Sequence, residues 1–158
     1  MSMFDSMRIS ATGLSAERLR MDTIASNLAN ANTTRATDAN GNYLVDANGD
    51  FVPYMRKEVL FQSSDVNNNP VMAGMGKGGD VPKMGVEPIG IVQDPSPARR
   101  VYDPTHPDSD ADGYVSLPNI NPVTEMIDMT TATRAYEANV TAMNASKNMA
   151  LKALDLLR

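Results

Sequence analysis

Apolar side chains return at alternating steps of three and four at both ends of this chain, the spacing that lines up one face of a helix. Near the N-terminus the row is Phe4, Met7, Ala11, Leu14, Arg18, Met21, Ala25 and Leu28, with Arg18 its one polar member. Near the C-terminus it is Met126, Met129, Thr133, Tyr136, Val140, Met143, Lys147, Ala150, Leu154 and Leu157, with Thr133 and Lys147 polar. The two rows predict a long helix at each end. Asn119 or Asn121 can cap the second helix. Pro122 suits its first turn, where the amide hydrogen that proline lacks would have no helical acceptor.

Between the rows the pattern changes. Nine of the ten glycines and nine of the ten prolines lie from 34 to 118, and both residue types interrupt helices. The chain therefore divides into an N-terminal assembly helix (1–33), a β-rich middle domain (34–118) and a C-terminal assembly helix (119–158). Strands are expected at Tyr43 to Val45, Phe51 to Phe61, Val86 to Val92, Arg99 to Tyr102 and Gly113 to Leu117. Asp46 to Asp50 reads as a hairpin turn, and Val71 to Asp80, rich in glycine and methionine, as a loop. The fold class is α+β, with long terminal helices as a coiled-coil-like pair flanking a small sheet or partial barrel.

Length turns this pattern into a statement about assembly. Helices of about 29 and 37 residues span roughly 43 and 55 Å. The 85 residues between them cannot cover rows that long. Each helix must bury its row against the other helix or another chain, because an isolated helix is marginal in water. The row members expected to carry these contacts are Leu14, Met21, Leu28, Met129, Tyr136, Val140, Met143 and Leu154. Asn27, Asn30 and Asn32, set among Ala25, Ala29 and Ala31, are expected as polar positioning groups that bond a neighbouring backbone. The methionines fit an adaptable docking surface and an ordinary buried seam equally well.

Composition narrows the choice of partner. The net charge is −5, and all of the excess lies in the middle, where twelve acids face seven bases, while the first 33 and last 40 residues are neutral. Nucleic acid is not an expected partner. The longest apolar runs are far short of the roughly 20 residues of a membrane span, so no direct membrane insertion is expected. The N-terminus lacks the basic start and apolar core of a signal peptide, so any export is expected to use another route. Without cysteine there are no disulfides, thiolate metal sites or cysteine nucleophiles.

Candidate chemistry is thin. Asp108, Asp110, Asp112 and Gly113 match the opening of a calcium-binding EF-hand loop, but Asn119 stands where the bidentate glutamate belongs and the preceding prolines exclude an entering helix. A solvated acidic turn is the plainer reading. His106, the one histidine, sits between prolines with no partner fixed by sequence. Gly74 to Gly79 lacks the Gly-Lys-Ser/Thr ending of a phosphate loop. Asn139-Val140-Thr141 fits a glycosylation sequon but lies on the helical row, where a sugar would obstruct packing. No catalytic residue, metal site or cofactor is expected.

Two stretches resemble a known family. Gly13 and then Ile24-Ala25-Ser26-Asn27-Leu28-Ala29-Asn30-Ala31-Asn32-Thr33-Thr34-Arg35 resemble the N-terminal signature of the flagellar rod and hook proteins. Gly113-Tyr114-Val115, Pro118-Asn119-Ile120-Asn121, Glu125 to Met129 and Arg134 to Asn139 resemble its proximal-rod branch, which the short chain also fits. The resemblance implies a structural subunit of the rod that crosses the periplasm and transmits torque from motor to hook, exported by the flagellar type III apparatus. It implies partners among other copies of itself, the other proximal and distal rod proteins, and the export-gate and MS-ring adaptor at the rod base. It also implies terminal helices that pair along the inside of a tube and are largely disordered before assembly. Two other classes stay open on the residues alone. One is a self-contained secreted coiled-coil adaptor or binding module. The other is a calcium-assisted hydrolase using Asp108, Asp110 and Asp112, for which no nucleophile, base and oxyanion set can be assembled.

Overall fold

A computed structural model describes residues 3–38, 40–46, 49–65 and 84–155. The expected loop from Val71 to Asp80 and the last row member, Leu157, lie outside the described residues. The elements are helix α1 (Met3–Ala29), strands β1 (Lys57–Asp65), β2 (Met84–Gln93), β3 (Arg99–Tyr102) and β4 (Tyr114–Leu117), and helix α2 (Pro122–Asp155). This is the α+β arrangement expected, with two helices flanking a small region of strands.

Local chemistry sets the helix ends. At α2 the Asn121 side chain accepts the Val123 amide at 3.0 Å, Pro122 occupies the first helical position, and the Asn121 carbonyl accepts the Glu125 amide. Of the two candidate caps, Asn121 is the one used. At the end of α1 the Asn30 amide reaches the carbonyls of Ser26 and Asn27, and its side chain donates to the Ser26 carbonyl at 2.9 Å. These bonds occupy carbonyls that the ending helix leaves without partners.

The described residues group into two compact units, and both helices contribute to each. The first unit takes Met1–Met21, Val59–Ile91 and Thr130–Arg158. Its helical segments run side by side and antiparallel: Ser6 meets Ser146 hydroxyl to hydroxyl at 3.3 Å, and Gly13 faces Asn139. A Cβ at position 13 would lie 3.1 Å from the Asn139 amide nitrogen, so the glycine permits the close approach. The Thr12 hydroxyl donates to the Ile9 carbonyl and accepts the Val86 amide at 3.2 Å, which fastens β2 to α1. β1 and β2 form a two-stranded sheet. The buried side chains among this unit's described residues are Asp5, Ala16, Ala132 and Ser146.

The second unit takes Asp22–Glu58 and Val92–Met129. It buries Thr23, Ile24, Asn27, Ala31, Pro53, Val115, Pro118, Ile120 and Glu125. β3 and β4 pair antiparallel, with Arg99 opposite Leu117, Val101 opposite Val115 and Tyr102 opposite Tyr114. Here the expected strands lie within a residue of those found.

Two other expectations need correction. Tyr43 to Val45 makes only isolated antiparallel bridges, Thr37 to Tyr43 and Val45 to Phe51. The strand expected from Phe51 begins only at Lys57. Before it the backbone is diverted: Pro53 has no amide to offer a ladder, and the Tyr54 amide donates to the Thr33 carbonyl. Ala36, Leu44 and Val52 close a ring of backbone hydrogen bonds instead, Leu44 donating to Ala36, Val52 to Leu44 and Ala36 to Val52 at 2.8 to 3.0 Å.

Candidate functional site

The line where the helical segments meet coincides only in part with the apolar row: Met21 touches Thr133 across it at 3.6 Å. In the first unit it carries Ser6 and Gly13 on α1 and Asn139 and Ser146 on α2, each pair seven residues apart. Small and polar side chains let two backbones approach, leaving most of the larger row members beside the line. Leu14, Met21, Tyr136, Val140 and Met143 are half-buried there, and Leu154 is 64% exposed. In the second unit Met129 is half-buried and Leu28 is 37% exposed. Further apolar side chains of α2 face solvent, among them Val123, Met126, Ile127, Met149 and Leu151.

The three asparagines have separate roles. Asn32 is exposed, and Asn30 closes α1, its side-chain oxygen also accepting the Thr33 hydroxyl. Asn27 is 1% exposed and meets a backbone within its own chain. Its amide group donates to the Lys57 carbonyl at 2.9 Å and to a Glu125 carboxylate oxygen at 3.1 Å. Its oxygen accepts the Lys57 amide at 2.9 Å and the Tyr54 hydroxyl at 3.2 Å. All four hydrogen-bonding positions of the side chain are filled. Toward Lys57 the side chain behaves as a strand neighbour would, exchanging one donor and one acceptor, just where β1 begins.

Glu125, also 1% exposed, completes the cluster. Its second oxygen accepts the Arg56 Nε at 2.7 Å, and Arg56 reaches on to Glu58 at 2.6 Å. A carboxylate in the first turn of α2 is also favoured by the helix dipole. Desolvation works against the Arg56 charge, but its bonds to Glu58 and Glu125 outweigh that and hold its pKa above the ordinary value.

The acidic turn is internally committed. Asp108 accepts Arg35 Nε at 2.9 Å and the Thr34 hydroxyl at 2.6 Å, and these bonds lower its pKa. Asp110 accepts the amides of Asp112 and Tyr114 and pairs with Arg100; the Tyr114 amide is the leading cause of its lowered pKa. His106 accepts the Asp108 amide on Nδ1 at 3.1 Å. Asn139, the sequon asparagine, donates to the Ala135 carbonyl and packs on Gly13.

One feature escaped the sequence reading although its signal was present. Asp38-Ala39-Asn40-Gly41-Asn42-Tyr43-Leu44 repeats eight residues later as Asp46-Ala47-Asn48-Gly49-Asp50-Phe51-Val52. In both copies the glycine amide donates to the aspartate carbonyl and the aspartate amide to the carbonyl four residues on. Asp110 to Tyr114 makes the same turn. Gly41, Gly49 and Gly113 all hold φ between 79 and 88°, the left-handed region that favours glycine. The equivalent aromatics of the first two copies, Tyr43 and Phe51, meet edge to face, and the Arg35 guanidinium lies 4.4 Å from the Phe51 ring centre.

Comparison with known proteins matches both ends of the chain. Residues 7–37 match the family described as flagella basal body rod protein, and residues 111–156 the family described as flagellar basal body rod FlgEFG protein C-terminal. The flagellar basal-body rod protein FlgC of Bacillus subtilis is 46% identical over 99% of both chains. That of Borreliella burgdorferi is 41% identical over 100% of this chain and 99% of its own, and that of Escherichia coli O157:H7 is 35% identical over 99% and 98%. Among the described residues no helix is long and apolar enough to cross a membrane. The chain belongs to the FlgC family of flagellar basal-body rod proteins, structural subunits of the rod.

Proposed function

We propose that this subunit builds the proximal rod through the apolar sides of its two helices, with Leu14, Met21, Leu28, Met129, Tyr136, Val140, Met143 and Leu154 as contacts to neighbouring chains. The observation that carries this reading is the composition of the line between the helices. Gly13, Asn139 and the Ser6–Ser146 pair occupy much of it, so Leu14, Tyr136, Val140, Met143 and Leu154 are left half-buried or exposed. Apolar surface of that extent on a helix is stabilised when a second chain covers it.

The neighbours are other copies of the subunit, the other proximal and distal rod proteins, and the export-gate and MS-ring adaptor at the rod base. The chain performs no catalysis. It leaves the cytoplasm by the flagellar type III route with its helical ends largely unfolded, and burying the apolar row between subunits couples folding to assembly. Long helices with many side contacts then spread torsional load over a large interface.

Leu28→Asp tests the reading. At a position 37% exposed, the new carboxylate can reach solvent in the free subunit but is placed in the proposed contact once a neighbour covers it. The expected outcome is a subunit that accumulates normally in cells that build no rod and do not swim. Normal motility would overturn the proposal.

A further inference from the structure

We infer that Asn27, Glu125 and Arg56 form a folding clasp that keeps the last two turns of α1 and the first two turns of α2 ordered in the free subunit. Only the remainder of each helix, 3–21 and 130–155, then waits for a neighbouring chain. The inference rests on the proposed coupling of folding to assembly and divides each helix in two.

The division follows from what each unit buries. The clasp is a closed polar network: every donor and acceptor of the Asn27 side chain is used, and both Glu125 oxygens are bonded. Such a network has one satisfactory arrangement, because shifting either helix leaves a desolvated amide or carboxylate without a partner. The Tyr54 hydroxyl widens it, lying 3.2 Å from both the Asn27 oxygen and the Ser26 hydroxyl. Ile24, Val115, Pro118 and Ile120 are buried in the same unit. It therefore has both apolar burial and a polar register device of its own.

The first unit buries less apolar surface among its described residues. The apolar side chains buried among its described residues are Ala16 and Ala132. Side-chain contacts between its helical segments include a hydroxyl pair at 3.3 Å and a hydroxyl–thioether contact from Thr133 to Met21 at 3.6 Å. Helical segments with so little buried apolar surface are marginal without a partner.

Hydrogen exchange read by mass spectrometry on the full-length monomer tests the inference. Amides of 23–31 and 123–129 are expected to exchange roughly a hundredfold or more slowly than those of 6–20 and 133–150, the size appropriate to a segment held by a buried charged network. Asn27→Asp removes the amide donors and sets a second carboxylate beside Glu125, and should abolish that difference; Val123→Asp, at a position 60% exposed, should leave it unchanged. Equal protection along both helices would overturn the folding-on-assembly reading and the clasp with it. Absence of protection throughout would overturn the clasp alone. Protection of the adjoining turns that survives Asn27→Asp would show that Ile24 and Ile120 hold them without it, and would also overturn the inference.

Discussion

Between Asp22 and Glu58 and between Val92 and Met129, the chain packs Ile24, Val115 and Ile120 and closes a polar cluster on Asn27. The first unit buries, among its described residues, no side chain larger than that of Asp5. The same two helices supply both units, so the difference does not come from helix-forming tendency. It comes from what lies beside each segment. In the second unit Tyr54, Arg56 and the Lys57 backbone turn helical side chains into parts of a network. In the first, Gly13 and the serines bring backbones close but give little apolar burial. Under the proposed clasp, a subunit divided this way keeps one part ordered by itself and offers the apolar sides of the other to a neighbour.

The sharpest way to break this contrast is Arg56→Met. Glu125 would stay desolvated without its cation, a loss of about 3–5 kcal/mol. Denaturant unfolding followed through the second unit should show this loss. A change below about 1 kcal/mol would mean that apolar packing, and not the polar cluster, distinguishes the two units.

Gly13→Leu probes the other unit. A leucine side chain cannot enter where even a Cβ comes within 3.1 Å of Asn139, so the paired helical segments must separate or strain, costing about 1–3 kcal/mol. Because the second unit does not contain Gly13, its denaturation midpoint should not move, while rod formation in cells should fail. If the midpoint of the second unit falls as well, the two units do not unfold independently.

How much of this the sequence disclosed depends on the range of the interaction. The helices, the Asn121 cap, Pro122 in the first turn and the β3–β4 hairpin strands are written in neighbouring residues, and they were legible. The line between the helices was not, because serine, glycine and asparagine do not stand out when apolar periodicity is counted. Asn27 drew notice as part of a motif, but its partners Lys57 and Glu125 are 30 and 98 residues away, and no local pattern announces them. The paired turns after Asp38 and Asp46 were legible as an eight-residue repeat; reading only the second copy hid the stack that Tyr43 and Phe51 make with Arg35.

Acid should separate the units next. Asp108 is held below its ordinary pKa of 3.8 first by its bond from Arg35 and then by Thr34, and Asp110 first by the Tyr114 amide. Groups whose folded pKa is depressed add stability that is present above the unfolded value and is lost as pH falls through the folded one. The second unit should therefore lose stability as pH falls below about 4. Asp108→Asn should make the acid loss shallower, as read by denaturant midpoints across that range. An unchanged pH profile in the variant would remove Asp108 from the account.

The smallest expected effect tests whether the repeated turns are equivalent parts of the second unit. Gly41 and Gly49 have φ of 85° and 88°, and a Cβ built at either meets nothing within 4 Å, so alanine at each position incurs backbone strain alone. The expected cost is about 1 kcal/mol for Gly41→Ala and the same, within a few tenths, for Gly49→Ala. At Gly113 the same strain is joined by a contact, because a Cβ would sit 3.0 Å from the Tyr102 ring, so Gly113→Ala should cost more than either. Thermal unfolding of the three single variants would rank them. A large difference between Gly41→Ala and Gly49→Ala would show that the two copies, alike in sequence and hydrogen bonding, are loaded differently by the bridged segments they join.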